Sequence, residues 1–386
     1  MSPAHLPSTT WLKEHMQAEA FAEQPWRKVT KPGLNLASNE FVHPAIAELC
    51  ATALRSAAPE RCSRYANPQE LADELAEHLG LSPEQVIVTA GSDDAIRCLA
   101  NAIFRSTSRL LLQEPNYDLV RKYAALNNVT IHSARMSPAT RDFTLPELQS
   151  AVSRLAADGP GVVFISNPNG PVGSCYSLAE VAKLAQQCSK LGFLLIVDEA
   201  YVPYNGFDHL SLLHEQPSVI IVRSFSKSFG TAGARVAIIA CAPEIADYLQ
   251  RWYPMNPLSG VAIHLMRFLL EHEREVIAAR DEIIQTRSWF TTTLASAIPS
   301  WRALPSAANF VCFDVGSATI ADRVASAMRQ VGVHIRSMSS VPGLEQCVRI
   351  TIADQATMRA VTGQLIKVSR SLSESDHIAL SSSAKE

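Results

Sequence analysis

The sequence predicts an α/β protein organised around a mostly parallel β-sheet, followed by a second, smaller α+β unit. The chain has 386 residues, enough for two closely associated domains at roughly 150 residues per domain. Short apolar runs alternate with stretches of helical periodicity as far as Pro243, and a long helical zone comes after them. Continuous apolar runs between helices are typical of parallel strands buried on both faces, so the first part of the chain carries the sheet.

Seven apolar runs have the character of strands in this sheet. In each run, branched and aliphatic residues follow one another until a polar residue or a turn ends the run. Helical stretches separate most of them, as the crossover connections of a parallel sheet require. The predicted strands cover residues 85–89, 109–113, 129–134, 162–166, 193–198, 219–224 and 236–241.

The chain divides into four parts, because its apolar periodicity and its composition change along the sequence. After a long helical zone that breaks at Pro299, the pattern runs strand, helix, strand, strand, helix, which indicates the smaller α+β unit. The last residues are rich in serine and lack periodicity. We therefore expect an N-terminal arm over residues 1–35, a large domain over 36–257, a small C-terminal domain over 258–370 and a flexible tail over 371–386.

Composition and charge exclude several classes of protein. With 47% hydrophobic and 18% charged residues and a net charge of −3, the chain is too apolar to be disordered and has no basic run suited to nucleic acid. The N-terminus lacks the apolar core of a signal peptide, and no apolar run is long enough to cross a bilayer. The eight cysteines form no closely spaced pairs, so we read them as reduced thiols and expect a cytoplasmic protein.

The common metal, nucleotide and hydrolase motifs are absent. The pair His272 and Glu273 is not continued to HExxH, no glycine-rich run precedes Ser226-Lys227-Ser228, and no GxGxxG follows a strand. The GxSxG elbow of the serine hydrolases is also missing. No metal site is expected.

Four polar segments stand where predicted strands end. Open α/β sheets bind their ligands beyond the carboxyl ends of the strands, so these segments are expected to form one site. They are Gly-Ser-Asp-Asp at 91–94, Asn-Pro-Asn-Gly-Pro-Val-Gly at 167–173, Asp-Glu-Ala-Tyr at 198–201, and Ser-Phe-Ser-Lys-Ser-Phe-Gly at 224–230, with Arg235 eight residues past the lysine.

Together the four segments resemble the fold-type-I, pyridoxal-phosphate-dependent aminotransferases of class I/II, and most closely the histidinol-phosphate aminotransferase branch. The resemblance covers roughly residues 36–366. It implies the PLP transferase fold of type I, in which a seven-stranded sheet lies between two helical layers. It also implies pyridoxal 5'-phosphate as cofactor and the transfer of an amino group between an amino acid, or an amino-alcohol phosphate, and a 2-oxo acid.

The resemblance assigns catalytic roles to three residues. Lys227 forms the Schiff base with the cofactor, and its freed amine then moves the Cα proton. Asp198 pairs with the pyridine nitrogen, which keeps the ring protonated and able to accept electrons. Tyr201 donates a hydrogen bond to the phenolic oxygen of the cofactor.

Further residues match the family's cofactor site. The amides of Ser92 and Asp93, at the start of a helix, suit a phosphate group, and Arg235 supplies a guanidinium. Turn or cap roles are an equal alternative for the remaining phosphate candidates, Ser224 and Ser226. Tyr117 fits the ring that stacks on the pyridine, Asn169 lies near the phenolic oxygen, and Tyr65 matches a tyrosine that reaches the phosphate across the interface of a homodimer.

Substrate binding is expected from three residues. Arg349 matches the arginine that holds the α-carboxylate, and its planar fork suits both oxygens. Arg336 matches the position where the histidinol-phosphate enzymes hold the substrate phosphate, and Asn39 belongs to the same site.

Some positions depart from the family pattern, and two other functions stay open. Gly170 stands where the family asparagine precedes the Pro-x-Gly turn, Arg336 is followed by serine instead of aspartate, and Asn39-Glu40-Phe41 replaces Asn-Glu-Asn-Pro. The arm contains Trp11 and Trp26 without a match for the family's phosphate-contacting tyrosine. Phosphothreonine-type decarboxylases share these motifs, and a non-catalytic ligand-binding aminotransferase-like domain is the alternative from another class.

Overall fold

The computed structural model describes residues 32–104 and 109–383. The predicted N-terminal arm lies outside the described residues as far as residue 31, and Trp11 and Trp26 lie outside them too. Strand β1 (Leu34–Asn35) is therefore the first element, and it pairs with a strand of the smaller unit.

The central sheet has seven strands, as the sequence predicts. Their order across the sheet is β2-β8-β7-β6-β5-β3-β4, and only β8 runs antiparallel to its neighbours. The prediction of a mostly parallel, seven-stranded sheet is confirmed, with strand ends within one or two residues of those expected. The strands are β2 (Val86–Thr89), β3 (Arg109–Glu114), β4 (Thr130–Arg135), β5 (Gly161–Ser166), β6 (Phe193–Asp198), β7 (Val219–Ser224) and β8 (Ala237–Cys241).

Two apolar cores lie on opposite faces of the sheet. Because side chains alternate along a strand, Val163 and Ile165 of β5 enter one core, whereas Val162 and Phe164 enter the other. All residues of β5 and β7 are buried, which explains their continuous apolar runs, while the edge strand β4 is partly exposed and more polar. Helices contribute their apolar faces to both cores, residues 92–99 and 118–126 to one and residues 145–156 and 178–190 to the other, so the predicted three-layer arrangement is confirmed.

Four helices of the large unit begin at a residue whose side chain accepts a hydrogen bond from the first turn. For example, Ser177 caps a helix and exchanges hydrogen bonds with Glu180 in a capping box. The helices are α1 (Pro44–Ser56), α2 (Glu60–Ser63), α3 (Pro68–His78), α4 (Ser92–Leu99), α5 (Asp118–Leu126), α6 (Leu145–Ala156), α7 (Leu178–Lys190), α8 (Leu212–Glu215) and α9 (Pro243–Gln250), with a 3₁₀ turn at Pro83–Gln85 and a π-helical turn at Ala100–Phe104.

The smaller unit combines helices with an antiparallel sheet of order β12-β13-β10-β9, while β1 pairs in parallel with β11. The chain thus passes through this unit before it enters the large one. Its elements are α10 (Gly260–Glu271), α11 (Glu273–Ala297), β9 (Arg302–Ala303), β10 (Phe310–Asp314), α12 (Ala318–Gln330), β11 (Val333–His334), β12 (Arg336–Ser337), β13 (Cys347–Thr351) and α13 (Gln355–Ser383).

The end of the chain is described as far as Ser383, and the predicted flexible tail stays a prediction. Helix α13 continues to Ser383, so the backbone of the predicted flexible tail is helical as far as it is described. Residues 371–383 contain neither glycine nor proline, and nothing in them forces the helix to stop. Among the described residues, no helix is both long and apolar enough to cross a membrane.

Candidate active site

The four polar segments lie at one edge of the central sheet. Strands β2, β5, β6 and β7 point the same way, because β8 is antiparallel to both β7 and β2. Their carboxyl ends therefore face one crevice, as the sequence predicts. The segments that follow these strands are 91–94, 167–173, 198–201 and 224–230.

Asp198 ends strand β6 as a buried carboxyl group. One carboxylate oxygen accepts a hydrogen bond from the Ala200 amide at 3.1 Å, and the other lies 3.1 Å from the Ser166 hydroxyl. The same hydroxyl lies 2.8 Å from the side-chain oxygen of Asn116. Burial raises the pKa of Asp198 to about 7, and these hydrogen bonds oppose the rise. A positively charged group placed beside this carboxyl would lower its pKa again and keep it ionised.

Glu199, the next residue, belongs to a separate buried cluster. Its carboxylate is fully buried and accepts hydrogen bonds from the guanidinium of Arg223, at 2.8 Å from Nε, and from Nδ1 of His209 at 2.7 Å. Nε2 of His209 in turn lies 3.0 Å from the side-chain amide of Asn167. Burial favours a higher pKa for Glu199, but the charge of Arg223 and the contacts with His209 outweigh it and hold the pKa below its ordinary value.

Sequence reasoning missed this cluster. Its signal was present, because Glu199 directly follows Asp198 and side chains alternate along a strand, so two adjacent acids at a strand end face opposite ways. Arg223 stands one residue before the end of the neighbouring strand β7. The two acids thus have different environments: Asp198 faces the crevice and Glu199 is neutralised within the protein.

Asn169 is held by the protein. Its side-chain amide donates to the side-chain oxygen of Gln113 at 3.0 Å and to the Pro115 carbonyl at 3.1 Å, and its oxygen accepts from the Val172 amide at 3.1 Å. All three contacts shape the Pro-Val-Gly turn and the loop after β3. The role of Asn169 in cofactor binding stays a prediction, and these contacts favour a structural role.

Tyr201 packs against the residue that departs from the family pattern. A Cβ atom on Gly170 would lie 2.8 Å from the Tyr201 ring, so a side chain there requires the ring to move. The Tyr201 hydroxyl accepts a hydrogen bond from the side-chain amide of Asn39 at 2.9 Å. Burial raises the pKa of Tyr201, with opposing contributions from Arg349 and Asn39. The phenol therefore keeps its proton, and that proton can be donated to a ligand.

Asn39 connects the two units of the chain. It is buried and adopts a left-handed backbone conformation (φ 55°), which asparagine tolerates better than most residues. Its backbone amide donates to the Thr351 hydroxyl at 3.0 Å, and that hydroxyl lies 3.2 Å from its side-chain oxygen. Asn309 donates to its carbonyl at 3.0 Å. The smaller unit thus fixes the side chain that contacts Tyr201.

Lys227 lies in the turn after β7 and reaches the same segment. Its ammonium group donates to the carbonyl of Ser38 at 2.9 Å. Because Ser38 precedes Asn39, the amine of Lys227 and the hydroxyl of Tyr201 contact adjacent residues. Both groups are therefore held at the junction of the two units.

A cluster of charged and polar groups lies at the start of α4. Asp93 accepts hydrogen bonds from the guanidinium of Arg235 and from the hydroxyl of Tyr117, each at 2.9 Å. Gly91 has a positive φ of 83°, and a Cβ atom there would lie 2.5 Å from the guanidinium. The first turn of α4, from Ser92, adds backbone amides that suit an anion.

The two serines of the 224–230 segment differ. The Ser224 hydroxyl accepts a hydrogen bond from the amide of Ser226 at 3.3 Å, which is the turn role given above as the alternative to phosphate binding. The Ser226 hydroxyl is buried and has no hydrogen-bond partner among the described residues. Such an orphaned group is what a ligand oxygen would satisfy.

Arg349 is a buried cation on β13. One of its terminal nitrogens donates to the Ala37 carbonyl at 2.8 Å, and its guanidinium lies 5.2 Å from the Phe310 ring centroid. Its Nε is buried without a partner among the described residues. Burial and the charge of Arg336 lower its pKa, yet arginine stays charged at neutral pH. The arginine therefore has hydrogen-bonding capacity left for an anion.

Arg336 lies directly opposite Arg349 on the neighbouring strand β12. It is exposed and lines a cavity of about 520 Å³ that is also lined by Ala37, Arg329, Asp322 and Ser326. Arg336 and Arg349 thus lie side by side. The carbonyl groups of Ala37 and Ser38, which accept hydrogen bonds from Arg349 and Lys227, belong to the same region. This part of the site carries excess positive charge.

Tyr65 lies at the surface of the single chain, with 92% of its surface exposed. The contacts above join the other predicted residues into connected groups at the carboxyl edge of the sheet and the junction with the smaller unit. Their roles toward a ligand stay predictions. These residues are Asn39, Ser92, Asp93, Tyr117, Asn169, Asp198, Tyr201, Ser224, Ser226, Lys227, Arg235, Arg336 and Arg349.

Comparison with known proteins identifies similar chains. The family described as aminotransferase class I and II matches residues 31–365. A histidinol-phosphate aminotransferase of Haloferax volcanii is 31% identical over 333 residues, which cover 84% of this chain and 87% of that protein.

Solved structures share the fold. The histidinol-phosphate aminotransferase of Sinorhizobium meliloti, in complex with pyridoxal-5'-phosphate, has a TM-score of 0.77 at 25% identity and covers 89% of this chain and 92% of its own. An L-threonine-O-3-phosphate decarboxylase of Porphyromonas gingivalis has a TM-score of 0.73 at 19% identity, covering 88% of this chain and 99% of its own. The latter likeness concerns the fold alone.

We predict that Arg223→Met destabilises the protein by about 3–5 kcal/mol, because it leaves the Glu199 carboxylate buried without its main cation. The free energy of unfolding from urea denaturation measures this loss. Arg251→Met is the matched control, since Arg251 forms an exposed ion pair with Asp247 at 2.6 Å and should change stability little. Equal losses in the two variants would contradict the assignment.

Proposed function

We propose that this chain, which belongs to the class I and II aminotransferases, is a pyridoxal-phosphate-dependent transaminase. It moves an amino group between an amino acid, or an amino-alcohol phosphate, and a 2-oxo acid. One observation carries the proposal: a buried carboxyl group, Asp198, a lysine amine, Lys227, and a phenol, Tyr201, lie at one edge of the sheet. The similar chain of Sinorhizobium meliloti, which binds pyridoxal phosphate, supports the cofactor.

The polar groups of the crevice fit this cofactor. The orphaned hydroxyl of Ser226 and the guanidinium of Arg235 are donors for a phosphate, and the first turn of α4 adds backbone amides. Ser92 and Asp93 begin that turn. When bound, the cofactor supplies a ring that accepts the electron pair left at the substrate Cα after its proton is removed.

Asp198 is suited to hold a protonated ring nitrogen. Alone, its buried carboxyl has a pKa of about 7, so it is ionised only in part at neutral pH. A neighbouring positive charge favours the carboxylate and lowers that pKa, and the carboxylate in turn favours the positive charge. The Ala200 amide and the Ser166 hydroxyl fix both oxygens of Asp198.

Tyr201 and Tyr117 orient the ring. The oxygen of Tyr201 accepts from Asn39, so its own proton is directed elsewhere, and we assign that proton to the phenolic oxygen of the cofactor. Tyr117, fixed by its hydrogen bond to Asp93, supplies the aromatic face on which the pyridine stacks.

Lys227 carries the proton. Its amine donates a hydrogen bond to the Ser38 carbonyl. The residue before it in the turn is Ser226, whose buried hydroxyl has no partner among the described residues. We propose that Nζ, released from the cofactor as a neutral amine when the substrate amine takes its place, would remove the proton from the substrate Cα and return it at atom C4′. The lysine therefore acts both as the attachment point of the cofactor and as the acid and base.

The substrate is proposed to carry two anionic groups. Arg349 offers an unsatisfied Nε beside its bond to the Ala37 carbonyl, which suits an α-carboxylate or its equivalent. Arg336, opposite it, faces a cavity large enough for the distal part of a substrate. Its neighbour Ser337 stands where the family has an aspartate, and the Ser337 hydroxyl donates a hydrogen bond to Asp322 at 2.6 Å.

A homodimer is part of the proposal. Tyr65 and Met255 are large hydrophobic side chains with 92% and 89% of their surfaces exposed. They belong to neighbouring segments, since a Cβ atom on Gly260 would lie 2.4 Å from the Arg61 carbonyl. Exposed apolar side chains in one region indicate an interface, and Tyr65 would there reach the phosphate site of the partner. We also propose a cytoplasmic location, with which the free thiols of all eight cysteines agree.

The cofactor assignment predicts that borohydride links pyridoxal phosphate covalently to Lys227, because its amine is the group held in the crevice. Peptide mapping of the reduced protein checks this. Lys227→Ala should lower the rate of keto-acid formation by about 10²- to 10⁴-fold, the range for loss of a positioned acid and base. Lys183→Ala, an exposed helix lysine, is the control.

A cofactor attached to another lysine would overturn the assignment of Lys227. The same assay compares keto-acid formation with CO₂ release for a panel of amino acids. Release of CO₂ without transfer of the amino group would favour the decarboxylase alternative, and absence of both reactions in cofactor-loaded protein would favour the non-catalytic one.

The substrate assignment predicts different effects for the two arginines. Arg349→Ala should impair every amino-acid donor, because each has an α-carboxylate. Arg336→Ala should reduce kcat/KM by about ten- to a hundredfold for donors with a distal anion, the loss expected for hydrogen bonds to a charged group. Neutral donors should be spared. If Arg336→Ala leaves phosphorylated, acidic and neutral donors equally efficient, Arg336 does not select the substrate.

The dimer assignment predicts that two inactive variants restore each other. When Tyr65→Ala and Lys227→Ala proteins are refolded together, activity should recover to about a quarter of the original. Half of randomly assorted dimers are mixed, and each mixed dimer has one intact site. Mixed dimers, isolated with two affinity tags, that remain inactive would show that Tyr65 acts within its own subunit.

A further inference from the structure

Tyr204 makes a polar contact that the proposed function does not use. It lies in the loop after β6, three residues beyond Tyr201, and is 2% exposed. Its hydroxyl donates a hydrogen bond to the backbone carbonyl of Lys227 at 2.8 Å. The loop that carries Asp198 and Tyr201 is thereby tied directly to the turn that carries the lysine.

The contact holds Lys227 at a second point. The amine of Lys227 donates to the Ser38 carbonyl, while its own carbonyl accepts from Tyr204. The Tyr204 ring packs edge-on against Phe41, with 6.3 Å between ring centroids, so the same segment borders both ends of the lysine. Both the start and the tip of this side chain are therefore fixed.

The hydroxyl of Tyr204 is a permanent donor. Burial raises its pKa, and the weaker opposing influence of Arg280 and Arg287 does not reverse the rise. It therefore keeps its proton over the pH range in which the protein is folded. Arg287 contacts the Ala308 carbonyl, so it is held apart from this bond.

We propose that Tyr204 is a positioning residue for Lys227, an inference that rests on the proposed role of that lysine. A lysine side chain has four flexible carbons, so its amine is placed only as accurately as its backbone. Small displacements of a reacting group reduce rates strongly, because the reacting atoms must approach closely and in line. Tyr204 fixes the backbone of Lys227 relative to the loop of Asp198 and Tyr201, and hence the path of the amine to the reacting carbon.

Tyr204→Phe tests this inference, because it removes the hydroxyl and keeps the ring that packs against Phe41. Two rates should fall by about two- to tenfold, the equivalent of one net hydrogen bond. The first is the rate at which cofactor-free protein forms its covalent bond with pyridoxal phosphate, followed by visible absorbance. The second is the maximal rate of the half-reaction with a saturating amino donor.

The quantities that do not depend on Lys227 should stay unchanged. These are the initial, non-covalent affinity for pyridoxal phosphate, measured by fluorescence quenching, and the donor concentration at half-maximal rate. Tyr248→Phe is the matched control, since Tyr248 also donates to a backbone carbonyl, that of Ala102 at 3.1 Å, away from the lysine. It should leave both rates unchanged.

The outcomes separate this inference from the proposed function. If borohydride maps the cofactor to Lys227 but Tyr204→Phe has unchanged rates, Tyr204 is not a positioning residue and the proposed function stands. A lowered melting temperature with unchanged rates has the same meaning. Should Tyr204→Phe fold poorly, Tyr204→Trp, Tyr204→His and Tyr204→Leu extend the series. Slow bond formation in every folded variant without the hydroxyl supports the inference, and a folded variant with the original rates overturns it.

Discussion

The site depends on the buried ion pair between Glu199 and Arg223. Glu199 extends strand β6 and Arg223 lies in β7, and His209 joins the same carboxylate and continues to Asn167 after β5. Three neighbouring strand ends are thus locked together by charge-assisted hydrogen bonds in a region without solvent. Because Asp198 immediately precedes Glu199, fixing one acid fixes the other on the opposite face. A buried charge needs its partners, so the cluster also resists rearrangement of the crevice.

The segment 37–39 transmits this order to the smaller unit. Its three successive residues contact Arg349, the amine of Lys227, and both Tyr201 and Thr351. The groups proposed to hold the cofactor and those proposed to hold the substrate thus share one short piece of backbone. The described part of the chain likewise begins in the smaller unit, where β1 pairs with β11, before it builds the large one. A shift of the smaller unit would move Arg349 and the contact of Lys227 together.

The sequence predicted which segments form the site and missed the hydrogen bonds that hold them in place. Asp198 and Lys227 could be found because parallel strands bring their carboxyl ends to one edge, a rule that needs only strand boundaries. The contacts of Asn39 with Thr351 and of Tyr204 with Lys227 join residues far apart in the chain, so no local pattern encodes them. Asn169 shows the same limit, since its three structural hydrogen bonds come from the fold around it.

The two arginines of the smaller unit favour an anionic substrate on electrostatic grounds. Arg336 and Arg349 are direct partners on antiparallel strands, and like charges in such a pair are unfavourable. Among the described residues, Arg349 has no acidic partner in its contacts, only the Ala37 carbonyl and the Phe310 ring. A ligand with two negative groups would neutralise both charges and satisfy the orphaned Nε. Binding of such a ligand removes the repulsion between the two arginines. The free energy gained in this way adds to the affinity for the ligand. The arrangement therefore agrees with the proposal that the substrate is anionic.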